Sequence, residues 1–455
     1  MIARREIAPL ASEALARKSF GEFCSRMDPL YEQAPHTKVL CDYLEALESG
    51  EIDRLAIFVP PRHGKTYHAG ERFPAWCFGR HPEWQQITAS YTIDRARASS
   101  RVARGLLREP QWPFPGVALA DDSQGIDAWH TSKGGILKAA GIGGGITGFG
   151  AHLLLIDDPI KGAKDAASIV VRDATWNWYA DVARTRLMRG GKQLLMMTRW
   201  HEDDLAGRIL NSGAANRWTV LRLPAIAEAN DPLGRAIGEP LWPGGMADVP
   251  SVADGEISSR SFEALYQGNP QPLEGALFKR AWLEHRYDVV PDGASVIQAV
   301  DSALGQSESA DWTVIWTLAY DGSNVFVIDE RRERAEFIDL QRMVTSEAAK
   351  YQPRRIYIEE VAAHSGAALI QELKRTTGLP IIGVRPQGSK IARAELVTGY
   401  FESGRVKFPK RAHWIDAWVD EALAFPNGKH DDQVDALVLG VGQLVSKPVL
   451  MPEWV

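Results

Sequence analysis

Only three cysteines occur in 455 residues, Cys24, Cys41 and Cys77, and no two of them form a Cys-x-x-Cys pair. An odd total without metal-ligand spacing argues against a disulfide framework or a structural zinc site, and fits a reducing compartment. Long apolar runs are missing as well. The stretch 436–445 is about half of the roughly 18 to 20 residues that a bilayer-crossing helix needs, and Gly440 interrupts it. Near the N-terminus Arg4, Arg5, Glu6, Glu13 and Arg17 are scattered among alanines and leucines, unlike the apolar core of a secretory leader. A cytosolic chain without membrane association is expected. Excess positive charge is the third absence: 52 Lys and Arg stand against 58 Asp and Glu, a net charge of −6. Any grip on nucleic acid must therefore come from local basic patches.

Hydrophobic residues make up 45% of the chain, enough for more than one buried core, and the length suggests two to three domains. From Ile52 onward short apolar runs alternate with helix-patterned segments, which predicts an α/β fold with a mainly parallel sheet. Residues 55–59, 86–90, 153–156 and 193–198 are the clearest strands. Between about residues 223 and 279 Pro224, Pro232, Pro240, Pro243, Pro250, Pro270 and Pro272 arrive with many glycines and periodicity fades. The expected organisation is residues 1–225 as a first domain, 226–290 as a linker or small subdomain, and 291–455 as a second domain. The last contains strand-like runs at 296–301, 313–319, 325–329 and 355–359, a helical segment at 367–374 and a final helix at 431–445.

Residues 55–66 read as an apolar strand, a tight loop, and Gly64-Lys65-Thr66 opening a helix. In a phosphate-binding loop, backbone N–H groups and the helix N-terminus cradle phosphates, the lysine meets the β- and γ-phosphates, and the hydroxyl binds Mg²⁺. Lys65 and Thr66 are the candidates for those roles, within a loop that also contains Arg62 and His63. Val59 stands where the usual first glycine would fall, and Pro60-Pro61 lie in the loop. His63 is expected to be packed or hydrogen-bonded there rather than catalytic.

A second apolar strand ends in Asp157-Asp158-Pro159. At the carboxyl edge of a parallel sheet Asp157 can hold the Mg²⁺, and Asp158 can polarise an attacking water, although Asp reaches about one methylene less far than the Glu common at such positions. Just upstream, residues 141–150 hold six glycines, which suits a loop approaching nucleotide or DNA, or a plain flexible connector. A third strand leads into Thr198-Arg199-Trp200-His201-Glu202-Asp203-Asp204. This polar cluster reads either as a sensor of the γ-phosphate through Thr198 and Arg199 or as a helix N-cap rich in acids.

In the C-terminal half acidic residues sit at element ends: Asp301, Asp311, Glu359-Glu360, and Asp431, Asp432 and Asp435 behind His430. Carboxylates from two strand ends and one helix can hold two hard cations for in-line attack on a phosphodiester; acids also cap strands and open helices everywhere. Asp431 or Asp432 can share a helix face with Asp435. Arg95, Arg97, Arg101, Arg104 and Arg108 recur along a helical segment as a stripe for DNA phosphates or a solvated face. Arg184, Arg186 and Arg189 are candidates for an arginine finger that reaches a neighbouring subunit.

Taken together these stretches resemble the large terminase subunit of tailed bacteriophages. Pro60-Pro61-Arg62-His63-Gly64-Lys65-Thr66 is similar to that family's variant phosphate loop, residues 143–159 to its glycine-rich lead into an Asp-Asp-Pro strand end, and residues 197–207 to its coupling motif. Tyr266-Gln267-Gly268-Asn269-Pro270 with Glu274-Gly275 resembles the interdomain segment, and Asp301, Glu359 and residues 430–436 the nuclease triad. The resemblance covers roughly residues 30–445. It implies an ASCE-type P-loop ATPase joined to a ribonuclease-H-like nuclease: ATP with Mg²⁺ at Arg62, His63, Gly64, Lys65, Thr66, Asp157, Thr198 and Arg199, with Lys65 and Asp158 catalytic, and Mg²⁺ or Mn²⁺, as two ions, at Asp301, Glu359, Asp431, Asp432 and Asp435, with Asp301, Glu359 and Asp432 catalytic. It further implies double-stranded DNA, a portal protein and a small terminase subunit as partners, a ring of about five copies on the procapsid, and a location in the bacterial host cytoplasm and transiently at the portal vertex. A helicase-like translocase without cleavage, or an assembly protein switched by ATP, are the alternatives. The adenine-contacting segment is not recognisable in the sequence.

Overall fold

The computed structural model describes residues 11–245, 249–271, 277–302, 312–360, 365–428 and 430–445. The expected Asp311, Glu274 and Gly275 lie outside the described residues. The chain divides into two compact units, residues 1–249 with 260–272, and residues 250–259 with 273–455. The proline- and glycine-rich stretch expected as a linker is thus shared between the two.

The first unit is built on an eight-stranded sheet of β1 (Arg54–Phe58), β2 (Gln85–Ser90), β3 (Leu119–Gln124), β4 (Ala128–Thr131), β5 (Ile136–Gly141), β6 (Ala151–Asp157), β7 (Leu187–Met196) and β8 (Thr219–Arg222), in the order β3-β4-β5-β2-β6-β7-β1-β8. The six strands from β5 to β8 pair in parallel, and β4 and β3 add an antiparallel edge. Apolar side chains alternate between the faces, as they must in a sheet covered on both sides. Leu55, Ile57, Leu153, Leu155, Leu194 and Met196 enter one core with the helices Phe20–Met27, Pro35–Ser49 and Phe73–Arg80. Ala56, Phe58, Leu154, Ile156 and Leu195 enter the other with Trp178, Tyr179 and Leu205.

The register carries the functional consequence. Ser90 pairs with Asp157, Asp157 with Met196, and Met196 with Ile57, so the carboxyl ends of β2, β6, β7 and β1 finish on one line. The loops that leave those ends therefore converge on one edge, where open α/β sheets bind ligands. Strand β7 lies between the loop strand β1 and the acidic strand β6.

The second unit has a mixed seven-stranded sheet of β9 (Arg286–Tyr287), β10 (Ser295–Asp301), β11 (Thr313–Tyr320), β12 (Val325–Glu333), β13 (Arg355–Glu359), β14 (Ile381–Val384) and β15 (Val406–Pro409), ordered β14-β13-β10-β11-β12-β15-β9. Val300, Ile315, Ile356 and Ile358 face the helices Phe337–Tyr351 and Ser365–Thr377. Ile297, Val314, Trp316 and Leu318 face the helices Ile415–Ala424 and Asp432–Val445. The last helix comes down close on the sheet at Gly440, where a Cβ would stand 2.4 Å from Leu318 Cδ1 and 2.9 Å from Ala299 Cβ. No helix among the described residues is long and apolar enough to cross a membrane.

All three cysteines are buried and unpaired in the first unit. Cys24, Cys41 and His68 bring their ligand atoms within 4.8 Å of one another, a grouping the sequence spacing did not suggest. His68 bonds the Gly64 carbonyl through Nδ1 and the Tyr31 hydroxyl through Nε2. Both ring nitrogens are thus already satisfied, and burial keeps the imidazole neutral, with a pKa lowered to about 4.

Candidate functional site

At the sheet edge of the first unit the loop after β1 turns through Arg62 at φ +62° and Gly64 at φ +85° and delivers Lys65 and Thr66 into a π-helical turn, Thr66–Arg72. Glycine adopts that left-handed backbone without a Cβ penalty. Lys65 Nζ donates to Asp158 Oδ1 at 2.9 Å and to the Thr198 hydroxyl. The Thr198 N–H donates to the same Asp158 oxygen at 2.8 Å. Asp158 reaches this position with φ +43°, in the left-handed region that Asp tolerates better than most residues. The Thr66 hydroxyl donates to Asp157 Oδ2 at 3.3 Å, and Arg95 Nη2 donates to the Thr66 hydroxyl at 3.4 Å.

Asp157 is 2% exposed, and its Oδ1 has no hydrogen-bond partner. Burial, followed by the adjacent Asp158 charge, pushes its carboxyl up to about 7 against the pull of Lys65 and Arg95. A buried oxygen without a donor beside a threonine hydroxyl is the environment that a hard cation would relieve. A cavity of about 670 Å³ opens here, with Lys65, Thr66, Arg95, Asp158 and Thr198 in its wall beside Leu30, Tyr31, Tyr67 and Trp242. Tyr31 and Tyr67 stack at 5.7 Å.

In the second unit β10 and β13 run parallel with Val300 opposite Ile358, so Asp301 and Glu359 leave adjacent strand ends together. The final helix brings Asp432 and Asp435. Its start is fixed by Glu421, which accepts from the Gln433 backbone N–H and side-chain Nε2, each at 2.7 Å, while Trp316 Nε1 donates to the Gln433 carbonyl at 2.9 Å. Burial, then the charges of Asp435, Glu359 and Asp432, raise the Asp301 carboxyl to about 8. Asp435 rises to about 6, mainly through burial. Asp431 joins through Lys390, which binds it and Asp435 at 2.7 and 2.6 Å. Arg393 reaches Glu359 at 2.8 Å and Asp435 at 3.3 Å. An all-oxygen set of this kind suits Mg²⁺ or Mn²⁺.

Residues 57–285 match the family described as terminase large subunit, T4likevirus-type, N-terminal, and residues 298–442 match that described as terminase RNaseH-like domain. The chain belongs to the terminase large-subunit family. Among solved structures it is similar to the large terminase of the thermophilic bacteriophage D6E, at 14% identity and a TM-score of 0.53 over 90% of this chain and 99% of that one. The same terminase in complex with ATP-gamma-S matches at 13% identity and a TM-score of 0.52 over 90% and 98%. The HK97 bacteriophage large terminase aligns over 91% of this chain and 95% of its own, at 11% identity and a TM-score of 0.33. A search of curated proteins gives no match. The fold is thus that of a large terminase: an α/β domain with a mainly parallel sheet and a ribonuclease-H-like α/β domain.

The structure brings the expected site residues together unevenly. Gly64, Lys65, Thr66, Asp157, Asp158 and Thr198 gather at one edge, with the exposed Arg62 in the cavity wall. His63 is buried, with Nδ1 2.8 Å from the Pro61 carbonyl and its ring against His36 and Trp242. Arg199, expected to face phosphate, instead binds Asp204 through Nε at 2.8 Å and lies over the Phe58 ring. Asp204 in turn caps the helix Leu205–Leu210 by accepting from the Gly207 N–H. The helix-cap reading of that cluster is met at Asp204, while Thr198 turns to Lys65.

The arginine stripe does not form a single face: Arg95 points to Thr66, Arg97 binds Asp94 and Asp127, and Arg101 is exposed. Glu360 pairs with Arg385, leaving Glu359 as the carboxylate turned to Asp301. Sequence reasoning missed Arg95 as a neighbour of the phosphate loop, the aromatic wall at Tyr31, and both cations at the acidic centre. Lys390 and Arg393, three apart directly after the N-cap Ser389, are the signal that was available for the last.

Proposed function

We propose that this chain is a packaging-motor subunit that hydrolyses ATP to drive double-stranded DNA into a procapsid and cuts the concatemer with its second unit. The observation that carries the reading is that one chain of this family gathers Lys65, Thr66, Asp157 and Asp158 at a parallel-sheet edge and, in its second unit, sets Glu359, Asp432 and Asp435 near Asp301, with Asp431 linked through Lys390. The D6E relative solved with ATP-gamma-S supports nucleotide as the first ligand.

In this reading the triphosphate enters the cavity and its negative oxygens draw Lys65 away from Asp158. Asp158, still bound to the Thr198 N–H, is then released to orient and deprotonate the attacking water. Arg95 adds positive charge beside Thr66, and Tyr31 and Trp242 offer ring surface in the cavity wall to a nucleotide base. Thr66 and Asp157 would hold the Mg²⁺, which supplies neutralisation of phosphate charge. In the second unit Asp301, Glu359 and Asp432, with Asp431 and Asp435, would hold two divalent ions, which supply an activated water and charge neutralisation at a phosphodiester. The reading includes a portal protein, a small terminase subunit, a ring of about five copies and action in the host cytoplasm at the portal vertex, as the resemblance implies.

The test uses the full chain with plasmid DNA. Asp157→Ala is expected to abolish DNA-stimulated ATP turnover and spare metal-dependent cutting, and Asp301→Ala the reverse. Persistence of ATP turnover in the first variant overturns the ATPase assignment; persistence of cutting in the second overturns the nuclease assignment.

A further inference from the structure

The helix Lys390–Glu402 is absent from the sequence reading of the acidic centre, yet it supplies that centre's cations. Its first turn places Lys390 and Arg393 on one face. Lys390 Nζ sits 2.7 Å from Asp431 Oδ1 and 2.6 Å from Asp435 Oδ2, and Arg393 binds Glu359 Oε2 through Nη1 at 2.8 Å and Asp435 Oδ1 through Nη2 at 3.3 Å. Both oxygens of Asp435 are therefore engaged by protein cations, and they belong to the carboxylates a hard divalent ion would need. Among the described residues Asp301 makes no ion pair, although it ends the strand at the centre of the cluster.

The two cations differ in freedom. The Lys390 side chain is 51% exposed and that of Arg393 is 18% exposed. An ammonium on a flexible stem half in water can leave its partners and be rehydrated, whereas a planar guanidinium forked between two carboxylates on neighbouring elements is pre-organised and stays.

We propose that Lys390 is an exchangeable counterion of the acidic centre: it neutralises Asp431 and Asp435 in the metal-free chain, and divalent ions enter by displacing it. Arg393 is the fixed partner that orients Glu359 and Asp435. The exchange sets metal affinity below what five crowded carboxylates alone would give, and it spares the metal-free chain their mutual repulsion. The inference rests on the reading of this cluster as a divalent-ion site, and it makes Lys390 a positioning residue.

The experiment is calorimetric titration of Mn²⁺ into the nucleotide-free full chain, alongside thermal melting. Lys390→Met is expected to tighten Mn²⁺ binding about fivefold, the scale of one partly exposed ion pair, while lowering the metal-free melting temperature. Lys390→Arg keeps the charge and is expected to leave the affinity near that of the unaltered chain. A lysine that serves only to hold the fold would lower the melting temperature without tightening Mn²⁺ binding. Equal or weaker binding in Lys390→Met, with the unaltered chain binding normally, overturns the counterion role and leaves the nuclease reading standing. If the unaltered chain shows no Mn²⁺ binding that Asp301→Asn removes, the metal-site reading fails and this inference fails with it.

Discussion

The Lys65 ammonium lies 2.9 Å from Asp158 Oδ1, so the group expected to grip phosphate is tied to the group expected to activate water. Neither can do its work while bound to the other, and a nucleotide must part them. Asp158→Asn keeps the shape, removes the ion pair and removes the base. Nucleotide binding is expected to stay equal or tighten slightly, while turnover falls by about 10² to 10⁴, the usual contribution of a general base. Fluorescent-nucleotide titration beside steady-state turnover checks this, and a proportional loss of both would refute it.

Asp301 is crowded by three like charges and buried, which holds its carboxyl near 8. A folded-state value above the ordinary one means that the folded chain binds more protons than the unfolded chain, so this group makes the fold less stable as pH rises from about 4 to 8. Asp301→Asn is expected to abolish cutting and to raise metal-free stability by about 1 to 3 kcal/mol at neutral pH, with the gap narrowing toward pH 5. Thermal melting of both chains in chelator across that range is the measurement. A lower melting temperature for the variant at pH 7 would sink the idea.

His36 is buried against Trp242 and His63, and burial lowers its pKa to about 4. Between that value and the ordinary one near 6.5 the unfolded chain binds the extra proton, so stability is complete above about pH 6.5 and is lost as pH falls toward 4. By pH 5 the loss from this single group is about 2 kcal/mol. The slope of denaturant midpoint against pH is expected to flatten in His36→Gln; an unchanged slope would assign the acid sensitivity elsewhere.

Gly440 lets the final helix approach the sheet closely enough to seat Asp432 and Asp435 beside Asp301. Leu318 Cδ1 can swing aside for an added methyl group, but Ala299 Cβ cannot. Gly440→Ala is expected to destabilise the second unit by about 1 to 3 kcal/mol and to reduce cutting while leaving ATP turnover intact. Equal cutting by the variant would show that the helix can shift without moving its carboxylates.

The phosphate loop and the Asp157-Asp158 strand end were legible because each is a contiguous stretch whose neighbours in sequence are its neighbours in space. The acidic residues were legible as strand and helix ends for the same reason. The β10 to β13 pairing that joins Asp301 to Glu359 was not, because register is a long-range property of two strands. Glu359 and Glu360 could not be separated until the strand showed which one faces Asp301. Arg199 was half legible: its place after a buried strand was right, but the Asp204 that takes its Nε is decided by a helix start five residues on. Lys390 and Arg393 can be read in sequence as a basic pair three apart after the N-cap Ser389, but only the return of their helix beside the acids shows what they bind. The short strands β3, β4 and β5 escaped notice because polar and glycine residues dilute their pattern.

The burial of Cys24, Cys41 and Cys77 has a practical side. Each sulfur is enclosed in the first unit, and burial holds the Cys24 and Cys77 thiols well above the usual range, so little thiolate is offered to an electrophile. A cysteine introduced at exposed Arg101, or at exposed Leu396, would then be the fast-reacting thiol on the chain. Single dyes could be attached at chosen points without first stripping the native cysteines, and the distance between them followed while nucleotide and DNA are added.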